Sequence, residues 1–295
     1  MTLEDFIAKY QKVPVQEYPN NVLQEVPVPL VSCRVSTYQH ANYIRQCLDG
    51  ILMQKTNFPF EIVIGEDESD DGTREICIEY ASRHPNIIRL FLHRRENNIL
   101  IDGRPTPKFQ GTYTMLKCRG KYHAFCEGDD YWTDPNKLQK QVDFLEKNPD
   151  YGLVHTDYDR FNQKTGHLIN SFNKFRGLVI TQGEVYEEML KLNFVALFTS
   201  MYRSHLHPKS ELTEMHSKIK IGFGDYPLLL FLSKKGKFGY IAESTVVYRE
   251  LENSASHFGN NRQKYFEMAD GVYRLRFFMM GKYGCSIETE SKLKK

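Results

Sequence analysis

The chain is predicted to be an α/β protein with a Rossmann-like, mostly parallel sheet flanked by helices and a C-terminal helical segment. Three observations predict this. Short apolar β runs alternate with helical periodicities through the first half, the pattern of parallel strands joined by right-handed crossovers. Two acidic clusters, one from Glu66 to Asp71 and the other Glu127-Gly128-Asp129-Asp130, each follow directly on a β run. Carboxylates so placed lie outside the carboxyl end of a sheet, where open α/β folds bind ligands. The composition, 41% hydrophobic and 26% charged over 295 residues, is that of a globular protein able to bury one large core or two modest ones.

The elements follow in order. Val31, Cys33 and Val35 alternate as a strand, and Ile44, Cys47, Leu48 and Ile51 recur at the spacing of one helix face. Phe60 to Ile64 is a second strand, and the helix through Ile76 and Tyr80 ends at His84-Pro85. A third strand runs from Ile87 to Leu92. The connection from Arg94 to Lys108, with Gly103, Pro105 and Pro107, is longer than most in compact domains and reads as a functional flap or a mobile segment. A helix near Gly111 to Lys117 leads to the strand Tyr122 to Cys126. Asp134 as N-cap and Pro135 at the first position then start a helix carrying Leu138, Val142 and Leu145, stopped by Asn148-Pro149. Leu153 to His155 is a strand, Leu228 to Leu232 an apolar helix, and Tyr248-Arg249 lies after the last strand. Residues 1–27 read as an N-terminal extension, 28–150 and 151–257 as two halves of one domain, and 258–295 as a helical tail.

Composition removes several functions. A formal charge of +2 does not suit a protein that neutralises a nucleic-acid backbone. Six cysteines without a C-x-x-C pair suit a reducing compartment, and no signal peptide or spanning helix is expected. The segment Asp67 to Ile78 matches a calcium loop at its first positions but places Ile78 where a bidentate Glu is required. The first strand is followed by Ser36-Thr37-Tyr38-Gln39-His40-Ala41, with no glycine, so a dinucleotide fingerprint is absent. Asp70 or Asp71 is expected to cap the following helix, which leaves Asp67 unexplained. Asp129 and Asp130 likewise have no capping duty, and adjacent carboxylates suit a hard divalent cation shared with phosphates. Asp157-Tyr158-Asp159 is expected to be a surface turn, and His205 and His207 solvent-exposed. Trp132 suits a sugar-stacking surface and a buried anchor equally.

The order Val31 to Tyr38, then Glu61 to Thr73, then Glu127 to Asp130 resembles a family 2 glycosyltransferase of the GT-A fold, over roughly residues 28 to 250. The resemblance implies an inverting transfer of a sugar from a nucleotide diphosphate sugar with Mg²⁺ or Mn²⁺, and an antiparallel, acceptor-side portion in the second half. It implies that Ser36, Thr37 and Tyr38 wrap the nucleoside, with Tyr38 stacking on the base. Asp67 would accept from the base, Asp129 would hold the ribose and Asp130 the metal. Asn193 to Arg203, with Phe194, Phe198 and Tyr202, would form the acceptor wall. Arg249 would contact the diphosphate beneath a segment containing Ser254, Ser256 and His257. Three departures stand out: Gln39 where Asn is usual, Glu66 for the first Asp of its pair, and Arg34 inside a buried strand, which requires a carboxylate partner.

Attack by a sugar hydroxyl needs a general base, and Asp225, just before the apolar helix, occupies the place for it. A simple N-cap is the competing reading. The expected function is a cytoplasmic glycosyltransferase, with a UDP-sugar donor and a saccharide or glycolipid acceptor, in surface polysaccharide synthesis. An idle nucleotide-sugar-binding protein and a metal-dependent sugar nucleotidyltransferase are the alternatives. The C-terminal tail, ending in Lys292-Leu293-Lys294-Lys295, reads as packing on the core or a homodimer partner in preference to an anionic inner-membrane face.

Overall fold

The computed structural model describes residues 3–18, 28–101, 103–252 and 262–293. Helix α1 (Leu3–Lys12) and the short strand β1 (Gln16–Tyr18) precede β2 (Val31–Thr37), α2 (Ile44–Leu52), β3 (Phe60–Glu66), α3 (Thr73–Arg83) and β4 (Ile88–Leu92). The long connection holds a 3-10 turn and a two-stranded hairpin, β5 (Ile99–Ile101) and β6 (Arg104–Thr106), before α4 (Lys108–Lys117). Then come β7 (Tyr122–Glu127), β8 (Tyr131–Trp132), α5 (Lys137–Lys147), the long β9 (Tyr151–Asn162) and β10 (Leu168–Ile169). Helices α6 (Phe172–Phe175) and α7 (Tyr186–Lys191), strand β11 (Met201–Arg203), α8 (Lys209–Lys218) and α9 (Asp225–Leu232) lead to β12 (Lys237–Glu250). Two helices, α10 (Arg262–Tyr283) and α11 (Ile287–Leu293), close the described chain.

The main sheet runs β1-β4-β3-β2-β7-β11-β9-β12-β8, with β10 on β9. Strands β4, β3, β2 and β7 are mutually parallel, as the alternation predicted. Beyond β7 the sheet turns mixed: β11 pairs antiparallel with both β7 and β9, and β12 runs parallel to β9. One apolar core packs α2, α3 and α5 on the parallel half, and a second packs α7, α9 and α10 beneath the other half. The N-terminal extension is part of this body, since β1 pairs with β4 and Phe6 and Val15 pack with Val63, Phe91 and Phe109.

Several local expectations are corrected. The helix after the acidic pair starts at Lys137, and Asp134 instead accepts from Asn136 N–H (2.9 Å) and holds Lys140 (2.8 Å). Asp157 is not in a surface turn. It lies inside β9, 1% exposed, accepting the backbone N–H groups of Tyr158 (2.9 Å) and Asn173 (2.9 Å). Tyr202 is fully buried, stacked on Phe125 and bonded to His207 at 2.8 Å, so it belongs to the core and not to an acceptor wall. That bond also makes His207 half-buried, whereas His205 is exposed. Trp132 is buried, with the Lys137 ammonium 4.7 Å from its ring centre. Tyr248 and Arg249 lie within β12, not after it. Ser254, Ser256 and His257 lie outside the described residues.

Candidate active site

Four strand ends, those of β2, β3, β4 and β7, are stitched together by backbone hydrogen bonds. Gly128 N–H donates to Ser36 O (2.9 Å), Asp67 N–H to Thr37 O (3.1 Å) and His93 N–H to Glu66 O (2.8 Å). Ser36, Thr37, Asp67 and the Glu127–Asp130 turn therefore share one edge of the parallel sheet. Gly128 is required there by space: a Cβ would lie 2.5 Å from Thr37 Oγ1 and 2.7 Å from His40 Nδ1. Gly128→Ala is expected to destabilise the fold by about 1–3 kcal/mol, because this turn cannot move away from β2 without breaking the bond to Ser36. Denaturant unfolding checks this, and an unchanged midpoint would show that the turn is free to shift.

The loop after β3 is built around Glu66, which is fully buried and accepts from Ser69 N–H (2.7 Å) and the Arg74 guanidinium. Its longer arm reaches these donors, so the Glu-for-Asp departure serves loop construction. The N-cap position of α3 is Gly72, not Asp70 or Asp71; Asp71, one residue earlier, accepts from Thr73 N–H (3.0 Å) and Ala41 N–H (3.0 Å) and ties the helix start to the loop after β2. Asp67 is 4% exposed. Its Oδ2 accepts from Asn98 (2.8 Å) and Arg95 (3.1 Å), while its Oδ1 is buried without a partner. An unpartnered buried acceptor is costly unless a ligand donor reaches it. Burial raises the pKa of Asp67, and the Asn98 hydrogen bond and the Arg95 charge oppose this. Beside it, the Tyr38 ring is partly exposed, with the Arg95 guanidinium 3.9 Å from its centre. Backbone strain flanks this pocket: Gln39 and Glu68 adopt φ of 57° and 61°.

The second acidic cluster divides by burial. Asp130 is 2% exposed and its Oδ1 accepts from Arg249 N–H at 2.8 Å. Burial, then repulsion from Asp129, raises its pKa well above the carboxylate range. A group so enclosed does not fit the metal-binding role expected of it. Asp129 is the acid at the opening, half-buried, with His40 Nε2 3.9 Å away. Glu127 stands beside it, and Arg34 is paired to Glu127 at 3.5 Å, the carboxylate partner that this strand-borne arginine required. Desolvation raises Glu127 to about 7; Arg34 opposes this, while Asp225 and Asp129 add to it. Asp129 and Asp225 thus each lie within electrostatic reach of Glu127, and Arg34 acts on both Glu127 and Asp225.

Asp225 is the first residue of α9, with Gly224 as N-cap and no side-chain capping bond, which sets aside the N-cap reading. Its carboxylate is open to solvent yet ringed by protein, which raises its pKa against the opposing charge of Arg34. Lys108, the first residue of α4, donates to Ile221 O (2.8 Å) and so tethers the loop that presents Asp225. Arg249 departs from its expected role. Its guanidinium is taken by Asp129 O (2.8 Å), Gln163 (2.6 Å) and Gln46 (2.7 Å), and lies over Tyr43 and Tyr131. It is a buckle between α2, β9 and the acidic turn, not a group free to meet a diphosphate. The half-buried ring of Phe198 stacks on Tyr248, 5.4 Å between centres, and meets Tyr158 edge-on. Sequence reasoning missed Glu127, Arg95, Asn98 and Gln46; only the position of Glu127 at a strand end could have signalled it.

Residues 32–207 match the model of the family described as Glycosyl transferase family 2. The chain belongs to glycosyl transferase family 2. A relative from Bacillus subtilis, named putative teichuronic acid biosynthesis glycosyltransferase TuaG, is 26% identical over 83% of this chain and 88% of its own. An uncharacterised protein of Mycobacterium tuberculosis is 44% identical over 114 residues, 39% of this chain. That match spans only about a third (31%) of the relative's length. Among solved structures, Staphylococcus aureus TarS residues 1–349 in complex with UDP-GlcNAc superimposes with a TM-score of 0.59 at 17% identity, covering 89% of this chain and 70% of that one. The mannosyltransferase PcManGT from Pyrobaculum calidifontis, in complex with GDP-Man and Mn²⁺, gives 0.57 at 17% identity over 99% and 76%. These neighbours establish the GT-A fold.

Proposed function

We propose that this enzyme moves a sugar, with inversion, from a nucleotide diphosphate sugar to a saccharide or glycolipid acceptor during surface polysaccharide assembly at the cytoplasmic side. The observation that carries this reading is the convergence of Asp129 and Asp225 on Glu127, which is paired to Arg34, at the carboxyl edge of the parallel sheet. In this reading Tyr38 stacks on the base, Asp67 Oδ1 accepts from a base N–H, and Ser36 and Thr37 shape the nucleoside pocket through their backbone bonds. A UDP-sugar remains the expected donor.

Among the described residues no three His, Cys, Asp or Glu side chains stand close enough to hold a metal by themselves. The donor set still fits Mg²⁺ or Mn²⁺, which take one or two carboxylates and complete their shell with phosphate oxygens and water. Asp129, helped by Glu127, would hold the ion, which when bound neutralises charge on the departing diphosphate. Asp225 accepts the proton of the attacking hydroxyl. Arg34 offsets the charges of Glu127 and Asp225. Asp130 and Arg249 fix the turn from beneath.

The deciding experiment incubates the enzyme with a panel of nucleotide sugars, saccharide acceptors and Mn²⁺, followed by product analysis. A glycoside of inverted anomeric configuration with a released nucleoside diphosphate supports transfer. Pyrophosphate release would instead identify a nucleotidyltransferase, and tight binding without turnover an idle binding protein. Asp67→Ala is expected to weaken nucleotide binding by about 1–3 kcal/mol, the value of a hydrogen bond to a charged group, and to relax base preference. Equal UDP and GDP affinities in wild type and variant alike would remove Asp67 from base recognition.

A further inference from the structure

Helix α10 faces two ways. Gly271, Leu275 and Met279 are buried against the body of the protein. On the opposite side, Phe266, Tyr273 and Phe277 are 74%, 50% and 56% exposed, so the line of the helix farthest from the core is aromatic. Soluble helices put charge on that line. Large exposed apolar ridges mark interaction surfaces.

The ridge has a heptad register. With Phe266 and Tyr273 at d, the a positions are Gln263, Asp270 and Phe277, the buried Gly271, Leu275 and Met279 fall at b, f and c, and Met280, the next d residue, packs against the core of its own chain. The charges beside the seam fit the same register. Arg262 falls at g and Glu267 at e, five residues later, the spacing at which g and e residues of two parallel helices meet. Asp270, the one charge in the seam, is neutralised by Arg274 of its own helix at 2.8 Å. An anionic bilayer would meet Arg262, Glu267, Asp270 and Arg274 beside the ridge, two charges of each sign, and would gain no net attraction from them. We propose that α10 pairs in parallel with α10 of a second copy of this chain, through Phe266, Tyr273 and Phe277, with Arg262 of each copy facing Glu267 of the other. This pairing is independent of the assignment of the active site.

The test is sedimentation equilibrium of the full chain over a concentration series. Mass should rise from one chain to two. Phe266→Asp should hold it at one, and Arg262→Glu should weaken association while the double variant Arg262→Glu/Glu267→Arg restores it. These positions are exposed, and a thermal melt of each variant is to check that it folds. Phe266→Cys, at a d position, should form a disulfide with itself under mild oxidation, above the background of the native cysteines. A chain monomeric at all concentrations, a dimer indifferent to Phe266→Asp, or a charge swap that fails to restore pairing overturns the proposal. So does binding of the monomer to anionic vesicles without self-association.

Discussion

Asp225→Asn is expected to lower turnover by on the order of 10² to 10⁴ while donor affinity stays nearly unchanged, because the amide keeps the shape of the side chain but cannot take a proton. The position of Asp225 makes the experiment clean. It starts α9 without a capping bond, so the substitution removes no hydrogen bond that holds the helix. Its contact with the rest of the site is electrostatic, through Arg34. Rates must be compared at saturating donor, so that a loss of affinity cannot pass for a loss of chemistry. If binding and rate fall together, Asp225 is structural; if full activity remains, another group accepts the proton.

Asp129→Asn is expected to abolish the dependence of nucleotide diphosphate binding on Mn²⁺, whereas Asp130→Asn should retain it. Asp129 is the carboxylate at the opening, and Asp130 is buried beneath it on Arg249 N–H. Calorimetry with and without chelator separates the two, and metal dependence lost only in the Asp130 variant would reverse the assignment. A pH effect accompanies this. Glu127 has its pKa raised to about 7, so the proton competes with the metal below that value. Metal-dependent affinity should therefore increase as pH rises through 7, and Glu127→Gln should flatten the increase. The linkage to stability has the opposite sign. The folded state retains a proton on Glu127 that the unfolded chain has released, so this group's contribution to stability falls as pH rises from about 4.5 to 7.

Most of the fold was legible because its signals are local. Apolar runs at Val31, Phe60 and Tyr122 and the helical spacings between them require only the neighbouring residues to be read, and the parallel order follows from the alternation. The acidic motifs at the strand ends were legible for the same reason, since a carboxylate after a β run must lie at the sheet's edge. Errors came where long-range pairing decides. Asp157 looks like a turn residue, but β9 continues through it because β12 pairs along its whole length. Tyr202 and Arg249 look like surface groups until β7 and the acidic turn close over them.

Adjacent acids show the boundary between the two kinds of information most clearly. The sequence by itself determined that carboxylates would gather at the carboxyl edge of a parallel sheet, and that Asp225 would begin an apolar helix. Which acid faces the opening was decided by tertiary structure alone. Asp129 and Asp130 are equivalent as letters, but β8 pairs with β12 and brings Arg249 N–H onto Asp130. That hydrogen bond draws one carboxylate under the turn and leaves the other above it, because a buried acid must find a donor and an exposed one need not.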